Sequence, residues 1–357
     1  MVAEFVNIHV FLERAKHAPV LDVRSPAEYS HAHIPGAISF PLFSDEERKM
    51  VGTAYKQESR ETAIKIGLDF FGVKMRGMVE AAEKIINDFA AQHPTAEKNT
   101  VLVHCWRGGM RSAGVAWLLQ LYGFHVVLLS GGYKAYRHWV LQQFEKNYPL
   151  RVIGGNTGSG KTELLHELAA RRHTVIDLEA LAHHKGSAFG NLGMPPQPTQ
   201  EMFENKIAAS LHAAMEAVAH REAAEKYIWL EDESQRIGDV NIPIVFLKQM
   251  QRAQLWVLDI PFEARLQHIV KYYGEQDRER MVNAILRIKK RLGGLEAKNA
   301  INAMVEDNIP GSFRILLSYY DRQYQKAFEK RATDAEQIHH VTCETVHHSN
   351  SIRLLQF

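Results

Sequence analysis

The stretch LRVIGGNTGSGKT, residues 150–162, decides the fold of the second half of the chain. Its apolar start predicts a buried strand, and TELLHELAARR from Thr162 predicts the helix that follows. Residues 155–162 fit the pattern G-x-x-x-x-G-K-[ST] in full, and between a strand and a helix the amides of such a loop converge on a phosphate. We therefore predict phosphate contacts from Gly155, Asn156, Thr157, Gly158, Ser159, Gly160, Lys161 and Thr162.

The chemistry of this loop is the binding of a polyphosphate group. Its amides and Lys161 are expected to hold two phosphates, and Thr162 is a candidate ligand for Mg²⁺. The motif does not specify the rest of the ligand, because an isoprenoid diphosphate presents the same two phosphates as a nucleotide.

Charged residues downstream give two further candidates. The apolar strand YIWLEDES, residues 227–234, ends in Glu231, Asp232 and Glu233. We predict that one of these acids lies beside a metal or serves as a base, and that Glu231 and Asp232 lie near the bound phosphates. The alternative is a set of solvated acids at a strand end. The basic stretch RIKKRLGG, residues 287–294, is compatible with a lid, an RNA contact or a solvated helix face.

Apolar runs in the first half also predict strands of a parallel sheet. These are PVLDVRS (19–25), TVLVHC (100–105) and HVVLLSGG (125–132). Such runs separated by helices are typical of a sheet covered on both faces. We predict an α/β chain with a parallel-sheet domain at 1–145 and a P-loop domain at 146–357, whose C-terminal part is helical. Residues 41–67 and the stretch from His184 are expected to be irregular, exposed loops.

Cys105 lies in VHCWRGGMRS, directly after a predicted strand and before a predicted helix. Gly108 and Gly109 let the chain curl, while Arg107 and Arg111 bring positive charge. Backbone amides and cations around a thiol lower its pKa and favour the nucleophilic thiolate. The same backbone amides and arginines would also bind an anion. The alternative is an inert core cysteine, and we interpret Cys343 in that way.

Composition excludes several classes of protein. The 357 residues carry a net charge of only +2, so global charge makes no case for nucleic acid. The two cysteines argue against a disulfide framework or zinc cluster, and 19 histidines show no convincing zinc spacing. Neither a signal peptide nor a membrane-spanning run is visible, so we expect a cytoplasmic protein. The adjacent pairs His183–His184, His339–His340 and His347–His348 are interpreted as surface residues.

The first domain resembles the rhodanese family. The stretch LDVRSPAEYSHAHIPGAISFPL (21–42) is similar to the rhodanese signature, and LSGGYKAYRHW (129–139) is similar to the close of that fold. The resemblance implies that Asp22, Arg24, Glu28 and His33 tie loops together, and that Cys105 carries sulfur or selenium. Cys-x5-Arg-Ser also matches a phosphatase signature, which keeps a phosphate-monoester hydrolase open as an alternative.

The order of the two domains, together with several long stretches, resembles bacterial tRNA 2-selenouridine synthases. These stretches are DEERKMVGTAYKQ, VLVHCWRGGMRS, GGNTGSGKTELL, DLEALAHHKGSAFG, QPTQEMFENKIA and WLEDESQRIGDVNIP. One departure is Lys185, where the family is expected to carry arginine.

The resemblance implies a two-stage reaction on the wobble 2-thiouridine of tRNA. A geranyl group from geranyl diphosphate is attached to sulfur, and selenium from selenophosphate then replaces the geranylated sulfur through a selanylcysteine at Cys105. It implies no tightly bound cofactor, with Mg²⁺ as a candidate, and a selenophosphate-supplying enzyme as a candidate partner. Two other hypotheses are a cysteine phosphatase fused to a small-molecule kinase and a non-catalytic module with a nucleotide-sensing P-loop. The sequence leaves the oligomeric state open.

Overall fold

A computed structural model describes residues 3–222, 225–329 and 337–355. The chain divides into two compact units, residues 1–142 and residues 143–357. Each unit is built on its own five-stranded sheet, and the strand pairs in both sheets are parallel. The predicted α/β class is therefore confirmed.

The sheet of the first unit has the strand order β1-β5-β4-β2-β3. Its strands are β1 (Glu4–Val6), β2 (Val20–Asp22), β3 (Ile38–Ser39), β4 (Thr100–His104) and β5 (His125–Leu129). Every residue of β2 and β4 is buried, as expected for central strands of a parallel sheet. Asp22 pairs with His104, so the loops that follow β2 and β4 begin side by side.

Seven helices lie between or after these strands. They are α1 (Ile8–Arg14), α2 (Pro26–His31), α3 (Asp45–Gln57), α4 (Arg60–Gly72), α5 (Met75–Gln92), α6 (Met110–Tyr122) and α7 (Gly132–Gln143). The main core of this unit joins Leu21, Val103, Val115 and Leu128 from the sheet and α6.

The sheet of the second unit has the order β12-β11-β6-β8-β7. Its strands are β6 (Leu150–Gly155), β7 (Thr174–Ile176), β8 (Ile228–Glu231), β11 (Gln254–Asp259) and β12 (Ile338–Thr342). A short antiparallel pair is formed by β9 (Arg236–Ile237) and β10 (Val240–Asn241). Because β6 lies between β11 and β8, the loop after β6 lies next to the acidic end of β8.

The helices of the second unit fall into two groups. The first group is α8 (Lys161–Ala170), α9 (Leu178–Ala182), α10 (Gln200–Ala219), α11 (Ile244–Arg252) and α16 (Asn350–Leu354). The second group is α12 (Phe262–Tyr273), α13 (Arg278–Leu292), α14 (Gly294–Val305) and α15 (Ile309–Glu329). The second group shares one core, which includes Leu266, Ile285, Ala300 and Leu317, so the predicted helical C-terminal part is confirmed.

The prediction of an irregular loop at 41–67 is wrong. The segment contains α3 and the first half of α4. Ser44 accepts from the backbone N–H of Glu47 while the Glu47 carboxylate accepts from Ser44 N, which is a capping box, and Ser59 caps α4. The many charges of the segment belong to exposed helix faces rather than to a loop.

The second predicted loop is irregular, but it is not exposed throughout. Residues 183–199 contain no helix or strand, yet Phe189 and Leu192 are buried in the core of the C-terminal helices. Phe189 packs against Tyr273 and Phe313. His184 is buried as well, so its interpretation as a surface residue is wrong.

Within the described parts of the chain, no helix has the length and apolar character needed to cross a bilayer.

Candidate functional site

The phosphate loop joins β6 to α8 as the sequence predicts. β6 ends at Gly155, α8 begins at Lys161, and Gly158 has a φ of 83°. Glycine is required at position 158 because a Cβ there would lie 2.8 Å from Cδ1 of Ile269. The Lys161 ammonium donates to the Gly155 carbonyl at 3.0 Å, which keeps the cationic group at the loop.

Two helices hold this loop in place. The Tyr324 hydroxyl on α15 accepts from Gly155 N at 2.9 Å. Arg265 on α12 donates to the Thr157 carbonyl at 3.0 Å and forms a bidentate pair with Asp321 on α15, at 2.9 and 2.7 Å. Arg265 is only 3% exposed, so its side of the ion pair is shielded from water, and its bidentate contact with Asp321 helps to hold the loop in place.

Another carboxylate, that of Glu179 on α9, lies beside the end of the loop where α8 begins. Thr162 Oγ1 donates to Glu179 Oε2 at 3.1 Å. Burial raises the pKa of Glu179 despite the opposing effects of Lys161 and Thr162. Burial and the neighbouring Glu179 also raise the pKa of Glu233 well above its ordinary range, although Lys161 opposes the shift. Negative charge is therefore costly here unless a cation joins the site.

The two acids predicted at the end of β8, Glu231 and Asp232, lie in different places. Asp232 lines the cavity at the loop, as Glu233 does. Glu231 is fully buried, and its Oε1 accepts from Glu179 N at 3.0 Å, while Oε2 has no hydrogen-bond partner among the residues that the structure describes. The Glu231 carboxyl thus holds the backbone of Glu179, and its predicted place near the bound phosphates stays a prediction.

Metal binding can be judged from the donor atoms. Within the described ranges, no group of three His, Cys, Asp or Glu side chains forms a ready metal cage. Mg²⁺ does not require one, since it binds through one or two protein oxygens and completes its shell with phosphates and water. The Thr162 hydroxyl and the Glu179 carboxylate are oxygen donors of this kind, so the residues present fit Mg²⁺.

The phosphate loop opens into a cavity of about 500 Å³. Gly155 and residues 157–162 line it, whereas Asn156 uses its carbonyl to accept from Ser159 N at 3.1 Å. The rest of the lining comes from α12, α15, the segment after α9, Glu163 and His166 on α8, and the residues Glu179, Asp232, Glu233 and Ser234. It includes the basic side chains of Lys185 and His268 and the aromatic rings of Tyr272, Tyr273, Tyr320 and Tyr324.

The second candidate site is the loop of Cys105 between β4 and α6. Cys105 is only 3% exposed, and its Sγ lies 3.2 Å from Ser112 Oγ and 3.3 Å from Gly109 N, which donates to it. The loop closes tightly against the start of α7, where a Cβ on Gly132 would collide with the Cys105 carbonyl. Tyr133 N donates to the same carbonyl at 2.8 Å.

The environment of the Cys105 thiol favours the thiolate. Burial by itself raises the thiol pKa, but hydrogen bonds from the Ser112 hydroxyl and from the backbone amides of Ser112 and Arg107 outweigh it. A smaller effect comes from the charge of Arg111, and the net shift of the Cys105 pKa is downward. This is the direction that a nucleophilic cysteine needs.

The two arginines predicted to bring positive charge to the thiol contribute in different ways. Arg107 contributes its backbone amide. Arg111 donates to Glu28 at 2.6 and 3.4 Å, so its charge is partly balanced by a carboxylate. Glu28 also accepts from Ser25 N, and the pairing with Arg111 lowers the Glu28 pKa although burial opposes it. The predicted role of Glu28 in tying loops together fits these contacts.

A buried ion pair, Asp22–Arg24, lies where β2 ends, beside the start of the cysteine loop. Arg24 donates to both oxygens of Asp22 and to the Ala32 carbonyl, and its guanidinium lies 3.8 Å from the centre of the Tyr133 ring. Both charged side chains are at most 1% exposed. Neighbouring His104 is fully buried, and burial lowers its pKa to about 4 even though Asp22 opposes the shift.

Known proteins resemble both domains of this chain. A model of the tRNA 2-selenouridine synthase AAA domain matches residues 148–349, and a model of the rhodanese-like domain matches residues 9–138. A tRNA 2-selenouridine synthase of Sulfurovum sp. (strain NBC37-1) is 33% identical over 348 residues, covering 89% of this chain and 90% of the relative. The chain belongs to the tRNA 2-selenouridine synthase family.

Other members of the tRNA 2-selenouridine synthase family give the same picture. The protein of that name from Shewanella piezotolerans is 34% identical over 347 residues, covering 88% of this chain and 90% of the relative. The one from Nitrosomonas europaea is 37% identical over 260 residues, covering 71% and 63%. The predicted resemblance to the family, and to the rhodanese fold for the first domain, is confirmed.

Several functional candidates in this family member are missing from the sequence prediction. Ser112 was visible in the cysteine stretch, and its position seven residues after Cys105 was the available signal. Glu179 ends the stretch TVIDLE, residues 174–179, and its position just after an apolar run was the available signal. The Arg265–Asp321 pair and the four tyrosines lie far from the loop in sequence, and nothing local marks them.

Proposed function

We propose that this protein replaces the sulfur of wobble 2-thiouridine in tRNA by selenium. Membership of the tRNA 2-selenouridine synthase family supports the overall transferase reaction. The observation that carries the chemical proposal is that one chain holds both a thiol with a lowered pKa, Cys105, and a diphosphate-sized loop opening into an aromatic cavity. Because tRNA is the substrate, we place the reaction in the cytoplasm, and we propose domain limits of 1–145 and 146–357.

The first stage is alkylation of sulfur by geranyl diphosphate at the phosphate loop. The sulfur of the base attacks C1, the S–C1 bond forms, the C1–O bond breaks, and pyrophosphate leaves with the electron pair. The N3 proton of the base is released to solvent. The loop amides and Lys161 neutralise the charge that develops on the leaving oxygens. This step makes sulfur a better leaving group for the second stage.

A bound Mg²⁺ would supply further positive charge to the pyrophosphate. Thr162 and Glu179 are the residues that would hold it. Apart from this ion, we propose no tightly bound cofactor.

The second stage takes place at Cys105 and has a specific electron balance. The thiolate attacks the selenium of selenophosphate, the S–Se bond forms, and the electron pair of the Se–P bond leaves on phosphorus as phosphite. The terminal selenium of the selanylcysteine then attacks C2 of the base, and geranylthiolate leaves. Two equivalents of a thiol reductant finally cleave the remaining Se–S bond, which leaves selenium on C2 and returns Cys105 to its thiol form while the reductant departs as its disulfide. The amides around Cys105 stabilise the anions that form there. An enzyme that supplies selenophosphate is the expected partner.

The test is nucleoside mass spectrometry of tRNA that contains 2-thiouridine. The full chain is incubated with geranyl diphosphate, selenophosphate, Mg²⁺ and a thiol, and we expect S-geranyl-2-thiouridine followed by 2-selenouridine. Phosphorus NMR of the same mixture identifies the selenium-transfer route. Phosphate as the sole product, with no selenium on Cys105, would contradict the selanylcysteine and favour direct attack by selenide.

One contact favours a second candidate function, a phosphate-monoester hydrolase. In such an enzyme the Ser112 hydroxyl would stabilise Cys105 as the departing thiolate. Aryl-phosphate hydrolysis that disappears in Cys105→Ser would support this function, and its absence in the folded protein would remove it.

A further inference from the structure

Besides its carboxylates, the lining of the cavity beside the phosphate loop has two chemically distinct parts. One part is the loop with its amides, together with the ammonium groups of Lys161 and Lys185. The other part is an aromatic wall contributed by α12 and α15, made of Ile269, Tyr272, Tyr273, Tyr320 and Tyr324. A ligand that matches this lining has a diphosphate head and an unsaturated hydrocarbon tail.

We propose that the aromatic wall is the binding site for the isoprenoid tail of an allylic diphosphate whose head lies in the phosphate loop. This inference rests on the proposed function, which calls for geranyl diphosphate as the alkyl donor. The cavity volume of about 500 Å³ falls within the range of pockets that enclose small molecules.

Three of the four tyrosine hydroxyls of the wall are already engaged by the protein. Tyr324 OH accepts from Gly155 N at 2.9 Å, and Tyr320 OH accepts from Ala188 N at 3.2 Å. Tyr273 makes a side-chain hydrogen bond with Ser187. Burial raises the pKa of both Tyr273 and Tyr320 to about 12, which keeps them neutral. Because their hydroxyls are held in this way, the rings offer apolar surface to the ligand.

The wall is continuous with the phosphate loop. Ile269 is 5% exposed and packs so closely on Gly158 that no Cβ would fit there. The hydrocarbon surface therefore begins directly at the amides that bind the head. This arrangement suits a molecule in which the tail is joined directly to the diphosphate, without an intervening sugar.

The wall also suits the charge that alkylation generates. When an allylic diphosphate reacts, the C1–O bond lengthens and positive charge spreads over the allylic carbons. Aromatic faces attract cations, and here the Lys185 ammonium lies 3.9 Å from the centre of the Tyr272 ring. The rings therefore offer both apolar contact for the tail and stabilisation of its developing charge.

The test compares two probes by titration calorimetry on the full chain with Mg²⁺, inorganic pyrophosphate and geranyl diphosphate. We expect the tail to increase affinity on the order of a hundredfold over pyrophosphate. Tyr272→Ala and Ile269→Ala should each reduce this ratio by about tenfold, because apolar contact is lost while the head keeps its site. Lys161→Ala should weaken both probes and leave their ratio unchanged.

Leu295→Ala is the control, and Tyr272→Ala is a variant that should fold normally. Leu295 on α14 is 68% exposed and lies outside the cavity, so Leu295→Ala should bind both probes as the wild type does. Tyr272 is 43% exposed, so its replacement leaves the core of the unit intact even if Ile269→Ala proves unstable.

The outcomes separate this inference from the proposed function. An unchanged probe ratio in Tyr272→Ala overturns the tail site, even where the wild type still geranylates tRNA. ATP binding that depends on Tyr272 more strongly than geranyl diphosphate binding does would also overturn it. The expected ratios without any transfer to tRNA would support the tail site and overturn the proposed function.

Discussion

The Ser112 hydroxyl lies 3.2 Å from the Cys105 sulfur and 3.1 Å from the Gly109 carbonyl. A hydroxyl has one hydrogen to donate, so the two acceptors compete for it. With a thiol at 105, that hydrogen is free for the carbonyl. With a thiolate, the sulfur is the stronger acceptor, and the hydrogen turns towards it. Ser112 therefore stabilises the thiolate selectively and acts as a positioning residue.

We predict that Ser112→Ala raises the pKa of the Cys105 thiol. Iodoacetamide alkylation at neutral pH should slow by on the order of tenfold, because a hydrogen bond to a charged group is lost. The measurement is the pH profile of alkylation in a Cys343→Ala background, so that a single thiol reacts. Ser112→Thr keeps the hydroxyl and should restore the profile. An unchanged midpoint in Ser112→Ala would show that Ser112 does not tune the thiol.

Replacing the nucleophile should separate the two stages. We expect Cys105→Ser to abolish 2-selenouridine formation and to leave S-geranylation intact, because the phosphate loop belongs to the other unit. Cys343→Ala is the matched control, since Cys343 is buried and burial raises its pKa. It should support both stages. Loss of geranylation in folded Cys105→Ser would argue against the division of labour.

The complementary change is Lys161→Ala in the phosphate loop. We expect geranyl transfer to fall by at least about a hundredfold, because the cation that offsets charge on the leaving pyrophosphate is removed. Alkylation of Cys105 by iodoacetamide should be unchanged. Lys298→Ala, at an exposed position on α14, controls for loss of positive charge. Retained geranyl transfer in Lys161→Ala would remove this residue from the mechanism.

The buried Asp22–Arg24 pair should contribute strongly to the free energy of unfolding of the first unit. Arg24→Met leaves Asp22 buried without its partner, and we expect a loss of about 3–5 kcal/mol in the free energy of unfolding. The exposed pair Arg76–Glu80 is the control, and Arg76→Ala should cause no measurable change in urea denaturation. An equally small effect of Arg24→Met would contradict this role.

The same pair predicts a pH dependence. Burial acts to raise the pKa of Asp22. His104 and Arg24 together lower that pKa by more than burial raises it, so the net shift is downward. A depressed folded-state pKa contributes stability above the ordinary carboxyl range, and this stability is lost as pH falls through the depressed value. The gap in stability between the wild type and Arg24→Met should therefore narrow in acid.

The sequence predicts those parts of the sites that are local in the chain. The phosphate loop and the cysteine loop each lie within a dozen residues, and their strand–loop–helix setting is as expected. Local signals were also available but unused at 41–67, where the capping residues Ser44 and Ser59 mark two helix starts that high charge obscured.

Features that depend on distant packing were not predictable in this way. Arg111 pairs with Glu28, which is 83 residues away, and this contact changes the role expected for the arginine. Tyr324 reaches Gly155 across 169 residues. Such contacts depend on how α2, α12 and α15 pack, and no spacing rule within one segment encodes them.

The most direct measurement passes tRNA between two variants. Cys105→Ser with geranyl diphosphate produces S-geranyl tRNA, which is purified and given to Lys161→Ala with selenophosphate and a thiol, without geranyl diphosphate. Nucleoside mass spectrometry should then detect 2-selenouridine, because the second variant retains the cysteine site. If S-geranyl-2-thiouridine persists unchanged with folded Lys161→Ala, while the wild type converts it, the two stages do not reside in separate sites.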